Sequence, residues 1–165
     1  MNSPNHIEAM AALRETLVAA VPDLHDGCRN SWVVIGSAAA LLIGADVRVA
    51  DIDVLTSVRD AEALSDRWQH RHDGTFEPSD AKRFRSCFAR YAFPGLPLEI
   101  MGGLEVFVAG VWQSVRIDEL EKIDAWGMTI PVPSLAEQIR VMNFFGRPKD
   151  YRRVAALHAL DGVSQ

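Results

Sequence analysis

The sequence predicts an α/β fold in which a mixed β-sheet is flanked by helices and followed by a C-terminal helical segment. Three observations lead there. A short β-branched run, "SWVVI" (31–35), turns through Gly36-Ser37 into small and aliphatic residues with helical character. The centre of the chain is rich in short strand-like runs, and from residue 134 onwards the apolar spacing is helical. With 165 residues, 48% of them hydrophobic and 24% charged, the chain is expected to form one domain over 1–165. Its core covers about 31–117 and its helical segment about 134–162. A chain of this length buries roughly two thirds of its unfolded surface.

The elements follow in order. Ile7, Met10, Leu13, Leu17 and Val21 recur at helical spacing, which predicts a helix over 5–20 ended by Pro22. After the strand of 31–35, "SAAALLIGA" reads as a helix stopped by Gly44. "DIDVLTS" (51–57) is a second strand, and Ala61, Leu64 and Trp68 place a helix over 58–70. Strand-like runs occupy 82–93 and 96–101, and a hairpin over 104–117 turns on Ala109-Gly110. Ser134 with Glu137 forms a capping-box signature for a helix closed by Gly146, and Pro148 opens the last helix.

Charge and composition exclude several classes. The formal net charge is −5, so no broad positive field gathers nucleic acid, and any phosphate is met locally. Cys28 and Cys87 lie far apart without metal-ligand spacing, and the start "MNSPNHIEAM" lacks the pattern of a secretory signal. A cytoplasmic protein with reduced thiols is expected. The apolar run 32–45 is too short to span a bilayer, which takes about 20 residues, so no membrane partner is expected.

Asp51 and Asp53 interrupt what otherwise reads as a buried strand. Side chains alternate along a strand, so the two aspartates share one face while Ile52 and Val54 take the other. Two crowded carboxylates are unfavourable without a cation, and a hard divalent ion such as Mg2+ reverses that balance. Glu99, a lone carboxylate in the apolar run "PLEIM", supplies a third ligand if its strand lies beside that of 51–57. Three acids at one point suit two ions. Gly36-Ser37 adds backbone N–H groups and a hydroxyl at a strand-to-helix turn, a fit for phosphate oxygens, although the P-loop pattern is absent. Arg48, three residues before Asp51, is a further phosphate candidate.

The ordered set Gly36-Ser37, Asp51 with Asp53, and Glu99 resembles the nucleotidyltransferase superfamily that includes DNA polymerase beta. The resemblance covers residues 31 to about 101 and implies two Mg2+ ions and transfer of a nucleoside monophosphate from an NTP. Asp51 and Asp53 would bridge the ions, Glu99 would bind the catalytic ion and help deprotonate the attacking hydroxyl, and Ser37 would hold the β- and γ-phosphates. The tail "VPSLAEQIRVMNFFGRPKDYRRVAAL" looks like the C-terminal segment of small bacterial AbiEii-type nucleotidyltransferases. By that resemblance Lys149 faces the triphosphate and Asp150 orients it or acts near the acceptor. Pro148 and Asp150 equally suit the first turn of any helix. The implied acceptors are RNA, including a tRNA end, protein, or a small molecule. A toxin role with a cognate antitoxin is also implied.

At two positions the chain departs from that pattern: Met142 stands where such relatives often carry a lysine, and Ala50, just before the acid pair, is apolar where they are often polar. A non-catalytic nucleotide- or partner-binding module on the same scaffold is therefore the alternative. Arg83, Arg85 and Arg90 on the "KRFRSCFARYAF" strand read either as charges guarding a sheet edge or as contacts to a triphosphate or acceptor.

Overall fold

The computed structural model describes residues 3–163. Helix α1 spans Pro4–Gly27, with the Ser3 side chain accepting from the His6 N–H at its start. It runs straight past Pro22, where the sequence predicts its end. An internal proline costs about 3 kcal/mol. Two anchors beyond it offset that cost: Leu24 is fully buried, and Asp23 accepts a 2.8 Å hydrogen bond from the Trp68 indole.

Strand β1 (Val33–Ile35) leads through Gly36 into α2 (Gly36–Leu42). Then come β2 (Ile52–Thr56), α3 (Val58–Arg67) and a 3-10 turn at Gln69–Arg71. Strand β3 covers Phe84–Tyr91, β4 Leu98–Val108 and β5 Val111–Ser114. A second hairpin, β6 (Leu120–Ala125) and β7 (Met128–Pro133), precedes α4 (Leu135–Phe145) and α5 (Pro148–Val163). The main sheet has the order β1-β2-β4-β3, with β5 also paired to β4. It is mixed, as expected: β2 and β4 are parallel and the other pairings antiparallel.

Two further elements differ from the sequence expectation. The runs 96–101 and 104–117 are not separated at Gly102-Gly103, because β4 passes through both glycines. Gly102 is a packing site and not a break: a Cβ there would lie 2.6 Å from the Ala61 Cβ, so only glycine lets α3 sit directly on the strand. The β6–β7 hairpin has no counterpart in the sequence reading. It turns on Trp126 (φ 53°) and Gly127 (φ 75°), as the anticipated β4–β5 hairpin turns on Ala109 (φ 52°) and Gly110 (φ 80°). Both turns have the two positive φ angles that match strand twist, but a leading tryptophan hides the signal.

Strand alternation divides the sheet into two faces. Ile52, Val54, Leu98 and Ile100 point into a core shared with Leu13, Leu17 and Leu24 of α1 and Leu64 of α3. The opposite face carries Leu55 with Val141 and Phe145 of α4. Asp53 and Glu99 belong to this second face, beside the apolar layer rather than inside it. Helix α4 begins as the sequence predicts, with Ser134 accepting from the Glu137 N–H, and ends on Gly146 in the left-handed conformation. Among the described residues no helix is long and apolar enough to cross a membrane.

Candidate active site

The register of three strand pairings sets four residues in one row. Ile35 of β1 is opposite Asp53 of β2, Asp53 is beside Glu99 of β4, and Glu99 is opposite Arg90 of β3. Asp51, immediately before β2, shares the Asp53 face. One carboxylate oxygen from each of Asp51, Asp53 and Glu99 lies within 4.8 Å of the others. The Asp53 Oδ1 atom is buried without a hydrogen-bond partner. Burial, and then the charges of Asp51 and Glu99, hold the Asp53 carboxyl well above the usual carboxylate range, with Arg153 pulling the other way. An orphaned buried carboxylate oxygen among three converging acids fits a hard divalent cation, whose oxygen preference matches this donor set.

Gly36 is required at the edge of this cluster. Its φ is +69°, and a Cβ built on it would stand 2.9 Å from Asp53 Oδ2. Gly36→Ala is therefore expected to cost about 1–2 kcal/mol through the backbone alone. It should also push the Asp53 carboxylate out of line. Thermal melts with and without Mn2+ check this: a lower Tm and a smaller Mn2+-induced rise are expected together.

The acids form one wall of a cleft of about 460 Å³ whose opposite wall is built by α4 and the start of α5. Gly36, Lys149, Asp150 and Arg153 all line it. Asp150, fully buried, is held from several sides. The Arg147 side chain donates to it from Nε (2.7 Å) and Nη2 (3.0 Å), and the Arg147 backbone N–H donates at 3.1 Å. The Arg153 Nη1 atom lies 3.6 Å away. This is the return half of a capping box, in which an acid at the third helical position satisfies the N-cap N–H. Arg147 also reaches Asp80 at 3.2 Å, so it ties the 72–83 loop to the α4–α5 junction.

Two of the sequence candidates are placed elsewhere. Ser37 is buried at the start of α2 and does not line the cleft, because the helix turns its side chain into the protein. Arg48 is exposed on the connection before β2 and does not line the cleft either. Met142, one departure from the family pattern, is buried with Ala40, Val154 and Leu157, where it joins α2, α4 and α5. Three side chains carry more than the sequence reading gave them: Arg147 and Arg153, which line the cleft, and Arg90, which does not line it but pairs with Glu99. The "RPKDYRR" composition signals the first two, whereas the role of Arg90 depends on a strand register that the sequence does not display. Neither Cys28 nor Cys87 lines the cleft.

This arrangement of sheet, helices and C-terminal helical pair is a nucleotidyltransferase fold, as comparison with solved structures shows. The candidate nucleotidyltransferase TM1012 from Thermotoga maritima superposes with a TM-score of 0.64 at 23% identity, over 94% of this chain and 93% of that one. The lincosamide antibiotic adenylyltransferase LnuA, with lincomycin bound, gives 0.55 at 14% identity, over 87% and 96%. The antibiotic-resistance factor ANT(2'')-Ia gives 0.53 at 10% identity, over 93% and 84%. No protein-family model matches the sequence, and no curated protein matches it.

Proposed function

We propose that this chain is a divalent-cation-dependent nucleotidyltransferase that moves a nucleoside monophosphate from an NTP to a hydroxyl acceptor. The observation that carries this reading is the convergence of Asp51, Asp53 and Glu99 on one face of the parallel β2–β4 pair. Those three carboxylates would hold two Mg2+ ions. When bound, magnesium supplies charge stabilisation for the attacking and leaving oxygens of an in-line displacement. Glu99, on the second strand, would take the proton of the acceptor hydroxyl. Lys149 and Arg153 bring positive charge to the cleft, and the buried Asp150 fixes the helix start that carries them. Phosphate contacts fall to these cations and to the Gly36 backbone, in place of Ser37 and Arg48.

For the acceptor, a small hydroxylated molecule is the first choice. The cleft volume is of the size that encloses a small ligand. Two proteins sharing the fold are an antibiotic adenylyltransferase and an antibiotic-resistance factor. RNA or protein acceptors, a toxin role with a cognate antitoxin, and closeness to AbiEii-type enzymes rest on the tail sequence alone. The deciding experiment incubates the protein with α-labelled NTPs, Mg2+ and separate small-molecule, RNA and protein fractions of a cell extract. Label on one fraction identifies the acceptor class. A second reading, a non-catalytic nucleotide-binding module, is favoured by Met142 in place of the family lysine; tight NTP binding with no labelled product in any fraction would establish it.

A further inference from the structure

The acid cluster contains its own cation. Arg90 Nη1 donates to Glu99 Oε1 at 2.7 Å and stands 3.6 Å from Asp51 Oδ2. Its guanidinium lies over the Phe76 ring, 4.2 Å from the centroid, and its side chain is only 18% exposed. This position is built into the sheet. Arg85 pairs with Glu105, but the register of β3 on β4 shifts by one residue between Arg85 and Cys87. Continued without that shift, the pairing would set Tyr91 opposite Glu99 and turn Arg90 to the apolar face with Ile100. The extra residue lies in β4, where Gly103 (φ 62°) and Leu104 stand opposite Ser86, and the resulting shift lets an arginine, and not a tyrosine, meet the third carboxylate.

A guanidinium in this place does two opposing things. It offsets repulsion among three carboxylates, which lets them sit together in the folded chain. It also occupies Glu99 Oε1 and repels any second cation that approaches. We propose that Arg90 is the resident counter-cation of the cluster, displaced from Glu99 and Asp51 by an incoming divalent ion, and that it thereby sets the affinity of the site for that ion. Phe76, contributed by the 72–83 loop, is the seat on which the guanidinium rests. Arg90 is a positioning residue in this account: it acts through the acids. The inference rests on the reading that these acids hold a divalent cation.

The test uses Mn2+ alone, without nucleotide, on the full chain. Calorimetric titration and the Mn2+-induced change in Tm are measured for the wild type, Arg90→Gln and Arg90→Lys. Glutamine keeps a donor for Glu99 but removes the charge. Arg90→Gln is expected to melt at a lower temperature without metal, to bind Mn2+ on the order of 10-fold more tightly, and to gain more in Tm on binding it. Arg90→Lys keeps the charge and should stay within about 3-fold of wild type. A merely structural arginine predicts weaker binding when removed, so equal or weaker Mn2+ affinity in Arg90→Gln overturns the proposal. If that variant cannot be purified, Phe76→Ala at an exposed loop position carries the test. Loss of a cation–π contact should tighten Mn2+ binding about 2–5-fold, and an unchanged affinity overturns the proposal. Nucleotidyl transfer by the wild type together with unchanged Mn2+ affinity in the variants sinks this inference and leaves the functional reading. Tightened affinity with no transfer does the reverse. A wild-type protein that binds no Mn2+ ends both.

Discussion

Asp53→Asn is expected to abolish nucleotidyl transfer while leaving the fold in place and raising the melting temperature of the metal-free protein. The activity loss follows from position. Asp53 lies at the centre of the row that joins β1, β2 and β4, and its carboxylate is the common neighbour of Asp51 and Glu99. Metal-based stabilisation of a transition state is worth several kcal/mol. At 1.36 kcal/mol per decade its loss lowers the rate by more than about 10³-fold. The stability gain follows from charge. The folded state holds the Asp53 carboxyl above its ordinary range, so it binds that proton more tightly than the unfolded chain does. The resulting stabilisation is complete below the ordinary carboxylate range and is lost as pH rises through the elevated folded value. Asparagine carries no charge at any of these pH values and removes the loss. For a chain of this size each kcal/mol relieved should raise Tm by about 2–4 °C. Melts at mildly acidic and mildly alkaline pH, with and without Mg2+, check the sign. Mg2+ should stabilise the wild type at the alkaline value and do little for the variant. A variant with near-normal transfer would remove the assignment.

The largest stability loss is expected at Asp150. Its two oxygens are taken by Arg147, and Arg153 stands close by. Asp150→Ala leaves Arg147, itself mostly buried, without its main counter-ion and strips the N-cap of α5 of its acceptor. Removing one partner of a buried ion pair costs about 3–5 kcal/mol. Urea denaturation should show the midpoint falling with little change in slope. Because Arg147 also holds Asp80, the 72–83 loop should become more open to limited proteolysis in the same variant. A midpoint equal to wild type would show that the pair contributes no net stability.

Much of the fold was legible because its signals are local. The Ser134 cap, the Gly146 stop, the Ala109-Gly110 turn and the β-branched runs around Asp53 each announce their conformation within a few residues. What escaped depends on contacts distant in sequence. Proline 22 marks a helix end only when nothing beyond it is anchored, and here Leu24 and Asp23 are. Gly102-Gly103 reads as a break until α3 is laid against it. The same division holds at the site. The spacing of Asp51 and Asp53 fixes a shared face, and the apolar setting of Glu99 marks it as unusual. That Arg90 sits beside Glu99 depends on a one-residue bulge at Gly103-Leu104, whose local sign, a glycine inside a strand, does not tell which residues it brings opposite each other. The Gly146–Asp150 turn, which carried the family resemblance of the tail, is already accounted for by helix capping, so its residues do not by themselves argue for a particular branch of enzymes.

The parallel pairing of β2 with β4 has a kinetic corollary. Parallel neighbours cannot be joined by a tight turn, and here the intervening chain includes α3 and all of β3. Asp53 and Glu99 thus become neighbours only after a long segment has looped back, one of the slower events available to a small protein. A nascent or half-refolded chain offers Mg2+ no complete nest. Under the proposed function the ion would not act as a template for assembly; it would act as a latch on the finished molecule, expected to slow unfolding while leaving the refolding rate unchanged.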